Sequence, residues 1–318
     1  MVHWAWTNGW GSAWRECVGP DCENLLFGCG VTDFAGSGVV HMTGGIAALV
    51  ASKFIGARIG RFDNGGVKLP QQSVIFQTLG TLILWFGWYG FNCVSTLAIH
   101  GLSGAASHAA VTTTIAAATG CLANSALTMA LDPNFVLDIG AANNGILAGL
   151  VSITAGCSTV SPFGAFCIGL ISAPVYYFSA KLLERLEVDD VVGAVPVHGF
   201  CGAWGVIATG FFITKEQYAS AYYADRASEC AGVFYGGNGS SLAANAVFVL
   251  AVLGWVGVTS AILFLVCYFT IGVRVSSDVE EAGMDDSKHG GKIGVEAEVQ
   301  AVIGTSKAVV VHADDSQI

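Results

Sequence analysis

The interval between Lys68 and Lys181 contains no lysine and no arginine. A membrane-spanning helix needs about 20 apolar residues, so this interval is long enough for several crossings of a bilayer. Of the 318 residues, 53% are hydrophobic and only 11% are charged, whereas a soluble domain has about 25% charged residues. The 42 glycines suit close packing of helices in lipid. We therefore predict an integral membrane protein, an all-α polytopic transmembrane helical bundle.

Apolar runs predict about seven membrane spans. They are expected at residues 31–54, 74–98, 105–129, 141–160, 163–183, 195–213 and 242–273. The positive-inside rule places the cations that follow the first span in the cytoplasm. These cations are Lys53, Arg58, Arg61 and Lys68. The predicted organisation is an extracellular tryptophan-rich loop (1–30), a transmembrane domain (31–274) and a cytoplasmic acidic tail (275–318).

Composition argues against several classes of function. The net charge of −10 arises largely in the tail, and the absence of a basic patch argues against a nucleic-acid partner. Most of the ten cysteines lie in apolar runs, where cysteine behaves as a small hydrophobe. Cys17, Cys22 and Cys230 lie in polar segments and could pair in an oxidising space. No nucleophile–base constellation or metal-ligand spacing appears, so we expect no enzyme, no catalytic residue, no metal and no cofactor.

Two histidines lie inside predicted spans, each eight residues after an aspartate. Asp33 precedes His41, and Asp190 precedes His198. Eight residues is a little over two helical turns, so each pair is expected to lie on roughly one face of a helix. An ionisable group at the centre of a membrane helix costs about 2.5–3.5 kcal/mol on the lenient insertion scale and usually marks a function. One interpretation is a shared pathway lined by both imidazoles; the other is two unrelated core histidines.

Two further patterns bear on recognition and topology. Trp88 and Phe91 belong to an aromatic run, Trp85–Ser95, that could hold a cation against ring faces or form an ordinary interfacial belt. The sequon Asn238-Gly239-Ser240 predicts glycosylation at Asn238 if that loop is extracellular, which agrees with the orientation above.

In these motifs the sequence resembles the ammonium transporter family, which is related to the Rhesus glycoproteins, and it is most similar to the plant and algal type. The matching segments are Asp33–Ser37 continuing to Arg58, Trp85–Asn92, Val188–Asp190, His198–Gly205, and Gly283–Asp285 with His289-Gly290. The resemblance departs at Lys53, where the family has an apolar residue, and at Cys93-Val94, where it has a small pair. The chain aligns with spans five to eleven of an eleven-span, inverted-repeat transporter.

The resemblance implies a homotrimer in the plasma membrane, with one ammonium-conducting pore per subunit and the C-terminus in the cytoplasm. It implies that His41 and His198 are the paired pore histidines and that Phe91 is an aromatic gate. Its other implied roles are an outer recruitment site (Trp10, Ser95), a carboxylate supporting that site (Asp33), a helix cap (Asp190) and a regulatory phosphorylation site (Ser287). Two alternatives to a carrier remain: an ammonium sensor, and an inactive half-transporter that acts as an assembly partner.

Overall fold

The computed structural model describes residues 1–19, 22–62, 69 and 71–289. Within these residues the fold is helical, and its only β pairing consists of two isolated bridges, Ser12–Val31 and Val160–Ile213. The helices are α1 (Val2–Ala5), α2 (Ser37–Ile55), α3 (Val74–Val94), α4 (Ser103–Leu131), α5 (Ile139–Ile153), α6 (Pro162–Arg185), α7 (Val195–Phe212), α8 (Lys215–Ala221), α9 (Ser240–Thr270), α10 (Ser277–Ala282) and α11 (Met284–Ser287).

Six of the described helices are long and apolar enough to cross a membrane, namely α2, α3, α4, α6, α7 and α9. The predicted fourth span is only partly helical: α5 has 15 residues and is about 22 Å long, shorter than the hydrocarbon core of about 30 Å. Residues 154–159, which follow α5, form turns rather than helix. Non-helical backbone at membrane depth must be buried in protein or line a cavity, and Thr154–Val160 are buried.

Burial identifies the inner and outer helices of the bundle. In α7, 67% of the residues in the most apolar window are buried, against 11% in α3 and in α9. The inner helix therefore lies against other helices on most of its surface, whereas the outer two leave broad apolar faces uncovered within this chain. The same helix α7 carries His198.

The first predicted span begins later than expected. Residues 31–36 are not helical, and α2 starts at Ser37 after Gly36, whose φ of 107° is a left-handed conformation that favours glycine. The segment 1–30, predicted as a loop, contains the one-turn α1 and a 3₁₀ turn at Leu26–Gly28.

Two disulfides in the described chain involve the segment that precedes α2 and the connection between α8 and α9. Cys17 pairs with Cys22, and Cys29 pairs with Cys230 across 201 residues of sequence. The sequence singled out Cys17, Cys22 and Cys230 but not Cys29. Cys29 and Cys230 are both fully buried.

The chain divides into two compact units, Met1–Ala57 with Lys68–Gly272, and Arg58–Val67 with Val273–Ile318. In the smaller unit, the Glu280 carboxylate accepts hydrogen bonds from the backbone N–H of Ile59 (2.8 Å) and from the Arg274 guanidinium (2.9 and 3.0 Å). The pKa of Glu280 is lowered from its usual range, most strongly by the hydrogen bond from the Ile59 amide and next by that from Arg274. Through these hydrogen bonds Glu280 ties α10 to the stretch that follows α2.

Candidate functional site

Each of the two singled-out histidines lies in a π-helical turn. His41 is in Ser37–Met42 at the start of α2, and His198 is in Val195–Phe200 at the start of α7. Such turns are rare and occur frequently at functional sites, because the wider turn displaces a side chain from the regular helical register. The two π-turns thus give both imidazoles a position that a regular α-helix would not give them.

Aspartate carboxylates cap both π-turns. Asp33 accepts hydrogen bonds from the amides of Gly36, Gly38 and Val39 at 2.9–3.1 Å. Asp190 accepts from Ala194 and Val195 at 3.0 and 2.7 Å. The eight-residue spacing therefore reflects a cap followed by a π-turn. The expectation that Asp33 and His41 share a helix face is wrong, since Asp33 precedes the helix.

Glycines bring the two histidine-bearing helices into backbone contact. A Cβ added to Gly45 would lie 2.0 Å from the amide nitrogen of Gly199, and one added to Gly202 would lie 2.6 Å from the Ser37 carbonyl oxygen. Neither distance is compatible with a side chain. The close approach of α2 to α7 thus depends on glycine at positions on both sides of the crossing.

At this crossing the imidazoles of His41 and His198 meet. Their Nδ1 atoms are 3.2 Å apart, and their rings are stacked with centroids 5.2 Å apart and planes 17° apart. Between two neutral imidazoles one Nδ1 must donate and the other accept, so the two rings adopt opposite tautomers. His41 is 8% exposed, and its Nε2 has no hydrogen-bond partner among the described residues. That nitrogen can accept from, or donate to, a small molecule.

Aromatic rings cover the other side of His41. The Trp88 ring stacks on it at 5.0 Å and 13°, and the Phe91 ring lies 5.5 Å away at 36°. Trp88 is held in place because its Nε1 donates to the Thr154 hydroxyl at 2.9 Å. A small molecule or ion that reaches His41 therefore contacts ring faces and one imidazole nitrogen. It finds few polar groups there that could replace its hydration shell.

Trp10 and Ser95, the residues predicted for an outer recruitment site, each have a local partner. Trp10 is 41% exposed and packs against Trp4 at 5.7 Å. Ser95, half-buried after the end of α3, donates its hydroxyl to the Phe91 carbonyl at 2.7 Å. Trp6, which the sequence did not single out, donates its Nε1 to the Asp33 carbonyl at 2.7 Å. Four tryptophans lie within eleven residues of the sequence, and their spacing does not distinguish Trp6 from the other three.

Two predicted modification sites lie on exposed surface. Asn238 precedes α9 and accepts from the Ser240 amide at 2.9 Å through its side-chain oxygen. Ser287 ends α11 and donates to the Gly283 carbonyl at 2.7 Å. The described part of the chain holds no group of three or more histidine, cysteine or acidic side chains that could bind a metal.

Comparison with known proteins agrees with this architecture. The sequence profile described as the Ammonium Transporter Family matches residues 1–293. The chain is 42% identical over 305 residues to "Ammonium transporter 1 member 1" of Solanum lycopersicum, covering 92% of this chain and 60% of the relative. It is 39% identical over 289 residues to "Ammonium transporter Amt2" of Archaeoglobus fulgidus, covering 90% and 59%.

Comparison with solved structures likewise shows similarity to ammonium transporters. A "Sensor Amt Protein" superposes with a TM-score of 0.71 at 29% identity over 81% of this chain and 60% of that one. Mep2 of Candida albicans superposes with a TM-score of 0.69 at 28% identity over 81% and 55%. The chain thus spans about 60% of the length of the curated relatives that it matches. With a multi-pass helical fold and a family profile that matches over most of its length, this chain belongs to the ammonium transporter family.

Proposed function

We propose that the protein of which this chain forms part or all carries ammonium across a membrane, conducting it as ammonia or ammonium past His41 and His198. The observation that carries the proposal is the stacked imidazole pair, which is enclosed by Trp88 and Phe91 and has one nitrogen of His41 without a partner in the described chain. The names of the relatives, all ammonium transporters, support the choice of substrate.

Selectivity against potassium follows from the same enclosure. Ammonium and potassium are similar in size and charge, so a pore lined by bare carbonyl groups would separate them poorly. Moving either ion out of water costs many kcal/mol, and desolvation favours the neutral form of a cationic acid. Ammonium can release a proton and pass as ammonia, whereas potassium cannot. Two neighbouring imidazoles can exchange hydrogen bonds with ammonia and relay the proton.

The remaining roles extend from this pair toward the outer face. Phe91, 38% exposed, serves as an aromatic gate beside Trp88, and Ser95 with a tryptophan of the first loop recruits the cation. Trp10 is the residue predicted for that recruitment, and the contact of Trp6 with Asp33 supports Trp6 as a second participant. Asp33 contributes by holding the first π-turn in place, as Asp190 does for the second.

We propose a homotrimer in the plasma membrane, with residues 1–30 and the α7–α9 connection outside and the tail inside. The cations in and after the last turn of α2, including Lys53, Arg58 and Arg61, support this orientation. The exposed sequon at Asn238 is then on the face where glycosylation occurs.

The function is tested by uptake of labelled methylammonium in a host without its own ammonium transporters. The complete open reading frame that carries residues 1–318 is compared with residues 1–318 alone. We expect uptake from the complete frame. If the complete frame is longer than these residues, we expect none from residues 1–318 alone, because half of an inverted-repeat carrier leaves its midplane site open to lipid. Robust uptake by residues 1–318 alone would overturn the second expectation.

The same assay separates the two alternatives. The similarity to a "Sensor Amt Protein" favours a sensor, which would bind ammonium without sustained uptake. An assembly partner would instead show no uptake alone but would change the uptake of a co-expressed relative. Absence of uptake and binding in the complete frame would contradict the proposed transport function.

A phosphate on Ser287 is proposed to switch transport off. Ser287 is exposed, and a phosphate would add about −1.5 to −2 charges at neutral pH next to Asp285 and Asp286 in sequence. Like-charge repulsion then loosens the packed form of the tail. We expect Ser287→Asp to lower uptake and Ser287→Ala to preserve it, measured at matched surface expression. Equal uptake by the two variants would discard the switch.

A further inference from the structure

Arg226 is a buried cation outside the histidine site, and we propose that it is a positioning residue for substrate entry that acts through Trp14. The proposal rests on the proposed transport function for its kinetic readout. It places a determinant of apparent affinity in the connection between α8 and α9, far along the sequence from both histidines.

The surroundings of Arg226 fix its guanidinium in one orientation. The residue is 3% exposed. Its Nη2 donates to the Ala13 carbonyl, its Nη1 to the Arg15 carbonyl at 3.0 Å, and its Nε to the Tyr218 hydroxyl at 3.3 Å. Within the described chain these acceptors are all neutral oxygens. Burial of a charge is costly unless it is fully hydrogen-bonded, so an arginine here indicates a geometric requirement that a smaller apolar residue would not meet.

The requirement concerns the backbone on both sides of Trp14. Arg226 binds the carbonyls of Ala13 and Arg15, and the hydroxyl of Tyr223 donates to the carbonyl of Trp14 at 3.0 Å. The Tyr223 ring itself lies 4.3 Å from the Arg226 guanidinium carbon. Arg226 and Tyr223 therefore hold three consecutive carbonyl groups, those of residues 13, 14 and 15. These bonds fix the backbone at Trp14 and with it the direction in which the Trp14 side chain points.

The Trp14 ring packs against two aromatic rings, one of which belongs to the residue that follows the first histidine cap in sequence. It stacks on Tyr222 at 4.2 Å and approaches the Phe34 ring at 6.1 Å. Phe34 directly follows Asp33, the cap of the π-turn that carries His41. On its open side Trp14 lines a cavity of about 450 Å³, which is also lined by Asn8, Arg15, Glu16, Asn24 and Tyr223.

An indole at this position can attract a cation to its face before the cation loses water. Because the attraction depends on ring orientation, loss of the Arg226 contacts weakens recruitment without altering the imidazole pair. The expected kinetic signature is a higher apparent KM for ammonium with an unchanged maximal rate per transporter at the surface.

The test uses four variants in the complete open reading frame: Arg226→Gln, Arg226→Lys, Tyr223→Phe and Trp14→Ala. Because Arg226→Gln removes the charge and cannot reach both carbonyls, it is expected to raise the KM for methylammonium about tenfold, equivalent to about 1.4 kcal/mol of binding free energy. Arg226→Lys keeps the charge but cannot reach both carbonyls, and it should fall between Arg226→Gln and the wild type. Tyr223→Phe, the mildest change, should raise KM least.

A double variant tests whether Arg226 acts through Trp14. If it does, combining Arg226→Gln with Trp14→Ala raises KM no further than Trp14→Ala alone, because residues that share one role are not additive. Multiplicative effects of the two changes, or a lower surface abundance with an unchanged KM in Arg226→Gln, would overturn the proposal in favour of a purely structural arginine.

A second readout does not depend on transport. Hydroxyl-radical footprinting of the purified protein should show faster oxidation of Trp14 in Arg226→Gln and in Tyr223→Phe, with Trp10 as the internal control because it is already exposed. Unchanged oxidation of Trp14 would refute the positioning role even if the wild-type protein failed to take up methylammonium, in which case the transport function would fail separately.

Discussion

Replacing His41 by alanine is expected to reduce ammonium uptake roughly ten- to a hundredfold, or to let potassium compete, because a hydrogen bond to a charged species contributes about 1.5–3 kcal/mol. The change removes the ring that stacks between Trp88 and His198 and the Nε2 that has no partner in the described chain. The measurement is uptake of labelled methylammonium with and without excess potassium, at matched surface expression.

His100→Ala provides the matched control for that experiment. His100 is exposed between α3 and α4, outside the imidazole pair, and its replacement should leave uptake unchanged. His41→Asp keeps a titratable group at the position and tests whether titration alone suffices. Unchanged uptake and selectivity in His41→Ala would remove the relay from the proposed mechanism.

Gly45→Ala is expected to disrupt the crossing of α2 and α7 and with it the imidazole pair. The added methyl carbon would lie 2.0 Å from the backbone nitrogen of Gly199, and backbone cannot give way as a flexible side chain would. Overpacking typically costs about 1–3 kcal/mol. We expect a lower thermal stability in detergent and a loss of most uptake at matched surface expression.

The neighbouring glycine offers a close control for the Gly45 variant. A Cβ on Gly44 would meet no atom within 4 Å, so Gly44→Ala adds the same methyl group to the same helix without a clash. It should retain both stability and uptake. Equal behaviour of the two variants would show that the helices can separate without affecting the site.

The sequence predicted the helices well where apolar periodicity alone determines them. Helices α3, α4, α6 and α9 begin within two residues of the predicted spans, and their ends are within four. The prediction was least accurate where backbone amides are hydrogen-bonded by a side chain instead of by the carbonyl groups of a helix. Asp33 accepts hydrogen bonds from the amides of Gly36, Gly38 and Val39, so the helix begins only at Ser37, and no hydropathy pattern reports a cap of that kind.

The candidate site was predictable in its residues but not in its geometry. Repeated aspartate-to-histidine spacing identified both imidazoles, whereas the π-turns and the 3.2 Å contact depend on the tertiary approach of Gly45 to Gly199. Trp6 and Arg226 were missed for a related reason: their partners are backbone carbonyls at Asp33, Ala13 and Arg15, and carbonyl groups carry no sequence signal.

Lys53, a departure from the family pattern, has a partner in the structure. Its ammonium donates to the Leu186 carbonyl at 3.2 Å, just beyond the C-terminus of α6. The last carbonyls of a helix lack partners within the helix, and a cation there also complements the helix dipole. The lysine thus joins the C-terminal end of α2 to that of α6, where an apolar residue could make no such bond.

The bond between Cys29 and Cys230 carries information about how the chain is threaded. Five of the described helices between the two thiols are long enough to cross a membrane, namely α2, α3, α4, α6 and α7. Only an even number of passages through a bilayer returns a chain to the side from which it started, so the short α5 with the buried turns that follow it must provide the sixth passage. Disulfides persist in oxidising compartments, so the bond can close only when both thiols have reached the same, non-cytoplasmic side. A growing chain that inserted one helix too few would hold its two sulfurs on opposite sides of the membrane. The oxidation state of this pair in newly made protein is therefore a covalent record of correct insertion.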